Sequence, residues 1–193
     1  MMIKMHLFFL ILLTNLTVSK FAAGQRNKDS DSKKFAQLSK VFRLKKPSEI
    51  KDFNSPQKIT ANVGNKVYNL NFNEADISIF GSFKLLSDIR WWGRSVGEFP
   101  NAQILVSASG TFEKEEIIFP SSAILGLSRF DKYFTNVDKE VLHVYFKGGG
   151  DGEGYTVEFV FKNGRLMSRN VTSNTFSEYF HESSHYTFIT PDN

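Results

Sequence analysis

The clearest pattern along this chain is a strict alternation of apolar and polar residues in two places, each broken by a short turn signal. Residues 58–63 and 66–71 flank Gly64-Asn65, a two-residue connection suited to positive φ, and so predict an antiparallel hairpin. The turn sets Ile59 opposite Leu70 and Ala61 opposite Tyr68 on an apolar face, with Thr60, Asn62 and Asn69 mainly on the other. Residues 155–162 and 165–171 flank Asn163-Gly164, the dipeptide that best fits a type I′ turn because both central residues need φ > 0. Here Tyr155, Val157, Phe159 and Phe161 line one face. The implied register pairs Phe161 with Leu166, Val160 with Met167 and Glu158 with Arg169, the last a cross-strand ion pair.

Between the hairpins, residues 77–83, 102–107, 116–119, 123–127 and 141–147 are short, rich in β-branched and aromatic residues, and separated by Gly, Pro, Asn and Ser; they read as strands. Residues 128–134 read as a helical turn. Upstream, Phe35, Leu38 and Phe42 fall on one stripe of a helix starting near Asp31 or Ser32, although Val41–Leu44 also suits a short strand. No long segment with a 3.6-residue period follows Phe53, which argues against βαβ units. The expected fold is mainly β, with α+β as the variant: an antiparallel sheet, sandwich or barrel-like, with an N-terminal helix against it.

The first residues follow a different pattern. Lys4 precedes the apolar run Leu7-Phe8-Phe9-Leu10-Ile11-Leu12-Leu13, and small residues then offer cleavage after Ser19 or Gly24, as in an export signal. The run is far short of the roughly twenty residues of a spanning helix. Expected organisation is therefore a signal peptide (1–24), a polar linker (25–34) and one β-rich globular domain (35–193), secreted or periplasmic, with no transmembrane span after cleavage.

Composition narrows the chemistry. The chain has no cysteine, which removes disulfides, thiol nucleophiles and cysteine-ligated zinc, and leans towards bacterial export. Lys4 and Lys20 leave with the signal, lowering the formal charge from +4 to +2, too little to argue for nucleic acid. The basic residues instead gather in one segment, from Arg26 through Lys33, Lys34, Lys40, Arg43, Lys45 and Lys46 to Lys51, which suits a solvated linker and surface helix, or contact with anionic lipid headgroups or an acidic partner.

Two motifs carry candidate chemistry. His181-Glu182-Ser183-Ser184-His185 matches H-E-x-x-H; in a zinc hydrolase His181 and His185 would hold the metal and Glu182 would act as base, on a helix and with a third ligand. As a strand, the same segment would set the histidines about 13 Å apart. Trp91-Trp92, flanked by Arg90 and Arg94, offers an aromatic platform for a glycan, peptide or headgroup, since adjacent strand residues face opposite sides. The glycine run at 148–154 is followed by a strand rather than a helix, which does not suit a phosphate loop. His143 faces away from Leu142, Val144 and Phe146. No cofactor is implied. The expected function is an exported, non-catalytic binding, interaction or envelope-associated protein whose partner is a protein, glycan or envelope component. The alternatives are a zinc-dependent hydrolase or an inhibitor or immunity-type partner of a secreted enzyme.

Overall fold

The computed structural model describes residues 28–76, 91–93, 103–150 and 154–187. The expected signal segment, the strand expected at 77–83, Arg90 and Arg94 lie outside these residues.

Among the described residues, ten strands form two antiparallel sheets, with no closed barrel. Strands β1 (Lys51–Asp52), β6 (Phe130–Asp138), β7 (Val141–Gly148), β8 (Tyr155–Lys162), β9 (Arg165–Ser173) and β10 (His181–His185) lie side by side in that order. The second sheet runs β2 (Gln57–Val63), β3 (Lys66–Asp76), β4 (Gln103–Phe112), β5 (Glu115–Glu116). Helix α1 (Lys28–Leu38) and the single turn α2 (Val41–Leu44) precede the strands, and another turn, α3 (Ser121–Ile124), lies between β5 and β6.

Both expected hairpins form. Ile59 faces Leu70 and Ala61 faces Tyr68, with Gly64 at φ 60° in the turn. At the second turn Asn163 and Gly164 both take positive φ, 49° and 74°, as a type I′ turn requires. The register of that hairpin differs from expectation beyond its first pairs. Phe161 does face Leu166, but a bulge between Val160 and Phe161 leaves Met167 unmatched, so Val160 faces Ser168 and Glu158 faces Asn170. One inserted residue reverses facing in the rest of a strand. Arg169 therefore turns to the inner face, opposite Phe159.

Two further expectations change. Residues 121–124 form helix α3 rather than part of a strand, and residues 130–138 form strand β6 rather than a helical turn. Val41–Leu44 is helical, and α1 starts at Lys28, ahead of Asp31.

The inner faces of the two sheets enclose one aromatic core. Phe146 of β7 lies 4.7 Å, ring centre to ring centre, from Phe72 of β3, and Phe161 of β8 lies 6.0 Å from Tyr68. The helical segment covers the outer face of the six-stranded sheet. Phe35 stacks on His181 at 4.3 Å, Lys34 Nζ donates to Asn170 Oδ1 (2.8 Å), and Phe42 meets Phe134 edge-on at 4.9 Å. The stripe of Phe35, Leu38 and Phe42 thus serves its expected purpose across a break in the helix. Among the described residues, no helix is long and apolar enough to cross a membrane.

Candidate functional site

The H-E-x-x-H segment is strand β10, paired with β9 from His181↔Thr172 to His185↔Ser168. A zinc hydrolase needs this motif on a helix, where both histidines and the glutamate share one site. In the strand they divide between faces. His181 stacks on Phe35 and Ser183 Oγ donates to Asn170 Oδ1 (2.7 Å) on the outer side, with His185 Nε2 3.3 Å from the same hydroxyl. Glu182 turns inward, accepting from Arg169 Nη2 (2.5 Å) and Trp92 Nε1 (3.3 Å). The arrangement separates the proposed base from the proposed ligands, so the hydrolase geometry is not formed. Among the described residues, no group of three His, Cys, Asp or Glu could hold a metal ion.

The tryptophans also depart from expectation. Trp91 and Trp92 are 8 % and 5 % exposed, so neither presents an open ring face. They do face apart, but each finds cover. Trp92 joins the main core beside Tyr155, while Trp91 packs with Ile104 and Val106 of β4. Trp92 and Glu182 belong to one structural lock. Buried Arg169 also donates from Nη1 to the carbonyls of Ser122 (2.7 Å) and Leu125 (2.9 Å), tying α3 and its exit to β9 and β10.

A polar network lies between α1 and the outer face of the six-stranded sheet. Burial pushes the Glu158 carboxyl up, but hydrogen bonds from His143, Tyr145 and Asn170, with the charge of His143, outweigh it and hold the carboxyl below its ordinary value. His143 Nδ1 lies 2.9 Å from Glu158 Oε1, and Asn170 Nδ2 donates to Oε2 (2.7 Å). Tyr145 is pushed up, first by burial and then by the Glu158 charge. The network ends on Lys34 and Ser183, both bound to Asn170 Oδ1. Its acceptors are filled from within the fold, which makes it a means of seating α1.

Beside this network, where α2 meets the ends of β7, β8 and β9, a cleft of about 190 Å³ opens. Ser39 and Arg43 come from the helical segment, Lys147 from β7, Thr156 from β8, and Asn174 and Thr175 from the chain after β9. Gly150 and Gly154 from the glycine run, with Phe42, complete its walls. Thr156 Oγ1 donates to Asn174 Oδ1 (2.7 Å), and the Asn174 N–H donates to the Gly154 carbonyl (2.8 Å), so the amide is held in place. Positive charge gathers here without compensation: Arg43 and Lys147 form no ion pair with a carboxylate among the described residues. Lys147 stands directly opposite Lys132 in the sheet register, and Lys132 in turn stands opposite Asp52 of β1.

Sequence reasoning passed over this cleft. Arg43 appeared only within a basic segment and Lys147 only as the end of a strand, and the β8–β9 register that brings Thr156 beside the chain after Ser173 is not a local pattern. The chain matches no protein-family model, no curated protein and no solved structure.

Proposed function

We propose that this chain is an exported, non-catalytic binding protein that holds an anionic group in the cleft between α2 and the ends of β7–β9. The observation that carries this reading is the pair of cations, Arg43 and Lys147, which form no ion pair among the described residues and face a cleft that also presents hydroxyls and a fixed amide. Such a lining supplies hydrogen-bond donors and positive charge, the set that holds phosphate, sulfate or carboxylate oxygens. Arginine binds such groups through two parallel N–H bonds and lysine as a point charge. The apolar stretch at residues 7–13, read as an export signal, supports placing this activity outside the cytoplasm.

Calorimetric titration of the protein with inorganic phosphate tests the reading. Saturable binding is expected, weakened at least about tenfold when Arg43→Gln and Lys147→Gln are combined, since each loses a charge-assisted hydrogen bond. Both side chains are at the surface or half-buried, so the double variant should keep the parent melting curve. Equal phosphate binding by parent and double variant, or none by either, overturns the proposal.

A further inference from the structure

We infer that the cleft and its rim dock onto an anionic lipid surface, with a headgroup phosphate seated between Arg43 and Lys147. This rests on the anion-binding reading of the same cleft. Four of the exposed large apolar side chains adjoin the cleft residues in the chain. Phe176, Tyr179 and Phe180 are 53 %, 78 % and 47 % exposed, and Phe176 directly follows the cleft residue Thr175. On the other side Leu44, 79 % exposed, directly follows Arg43. Exposed apolar groups thus adjoin the cleft residues along two separate chain segments.

The aromatic segment is a hydrogen-bonded turn. Its backbone closes on itself: Tyr179 and Phe180 N–H donate to the Phe176 carbonyl (3.1 and 2.9 Å), and Ser173 N–H donates to the Phe180 carbonyl (2.9 Å). Ser173 Oγ accepts from the Phe176 N–H (3.1 Å). These bonds satisfy part of the turn's backbone, which lowers the cost of bringing its exposed rings to the headgroup boundary, while Glu178, also exposed in this turn, keeps its carboxylate in water. Tyrosine, with an apolar ring and a polar tip, favours that boundary. Lys40 directly precedes α2, and Lys45, paired with Glu49, and Lys46 directly follow it; these lysines add attraction to a negatively charged surface, a charge complementarity that a neutral apolar partner lacks.

The test is co-sedimentation of the full chain with phosphatidylcholine vesicles, with and without phosphatidylglycerol. Parent and variants are compared in the same preparation, so that any contribution of the N-terminal apolar segment cancels. Binding should require phosphatidylglycerol. It should fall about thirty-fold in the Arg43→Gln, Lys147→Gln double variant, since each cation near an anionic surface contributes a factor of about five. It should fall at least about tenfold in a Phe176→Ser, Tyr179→Ser variant, which removes apolar area from the interface but leaves phosphate titration unchanged. Equal binding to both vesicle types, or insensitivity to either double variant, overturns the inference. Phosphate binding without vesicle binding also overturns it while the anion-binding reading stands; loss of both defeats the two together.

Discussion

Glu74 and Glu158 are both buried carboxylates, and their surroundings drive them in opposite directions. Glu74 sits at the β3 bulge next to Asn73, 8 % exposed, and Oε1 accepts the Phe130 N–H (2.9 Å). Burial pushes it up to about 7, against the lowering effect of backbone N–H groups from Phe130 and Arg129. A carboxyl raised on folding takes up protons, so its contribution is fully present below its unfolded value near 4.5 and is lost as pH rises through about 7. Glu158, held low in spite of its burial, contributes in the other sense: its stabilisation is present above the ordinary carboxylate value and is lost as pH falls through its lowered folded value. Glu74→Gln keeps an acceptor for Phe130 and removes the charge. Urea unfolding at pH 8 should show a gain on the order of 2–3 kcal/mol over the parent, and at pH 4 almost none. An equal difference at both pH values would contradict this account of Glu74. Neither behaviour is legible in the sequence, where regular alternation sets Glu158 opposite Arg169 and Glu74 is one acid at the end of an alternating run. Both are decided by bulges, and a bulge leaves no periodic mark of its own.

Among the elements, the close of β7 is the most tightly specified. A Cβ on Gly148 would stand 2.6 Å from the Tyr155 ring, and that ring cannot withdraw. Its hydroxyl donates to the Ser128 carbonyl (2.7 Å) and accepts the Ser128 N–H (2.9 Å). Gly148→Ala should therefore destabilise the protein by about 2–3 kcal/mol through overpacking. The measurement is the midpoint of chemical denaturation, and an unchanged midpoint would show that the ring has room to move. This glycine belongs to a run that reads from sequence as a loop, yet it ends a strand and pairs with Tyr155. The hairpins at 64–65 and 163–164 were legible because turn chemistry and alternation agree there. Residues 130–134 read as helical because Phe130, Tyr133 and Phe134 follow a helical spacing, but the bulge between Phe130 and Lys132 explains it: Tyr133 faces inward opposite Phe146, and Phe134 faces outward opposite Tyr145. The strand expected at 123–127 is too short an apolar stretch for either period to decide; the Leu125 N–H bond to the Ser121 carbonyl (3.0 Å) closes residues 121–124 as a helical turn, and the Leu127 carbonyl then accepts from Leu105 of β4. The cleft was illegible for a different reason. Its residues come from segments as far apart as Ser39 and Thr175, and each looks ordinary in its own neighbourhood.

Across the whole molecule, a chain without cysteine must hold its two sheets together by non-covalent contacts, and Phe146 is where the packing between them converges. Its ring lies 4.6 Å from Phe130, 4.7 Å from Phe72 and 5.8 Å from Phe53, with Tyr133 and Phe159 at 6.1 and 6.0 Å. Phe72 belongs to the four-stranded sheet and the other strand residues to the six-stranded one, so a single side chain couples both. The same strand serves the proposed site: Lys147 follows Phe146 and faces the opposite way, setting a cation in the cleft behind the core's central ring. Phe146→Ala should cost roughly 3–5 kcal/mol, the transfer loss plus the cavity left behind. That should lower Tm by roughly 10 °C for a chain of this size. Because the cavity opens between the sheets, both should still melt together, with far-UV and near-UV circular dichroism following one shared transition. Two separated transitions in the parent protein would show that the sheets are stabilised independently. The aromatic cluster would then be a contact between two units rather than the core of one.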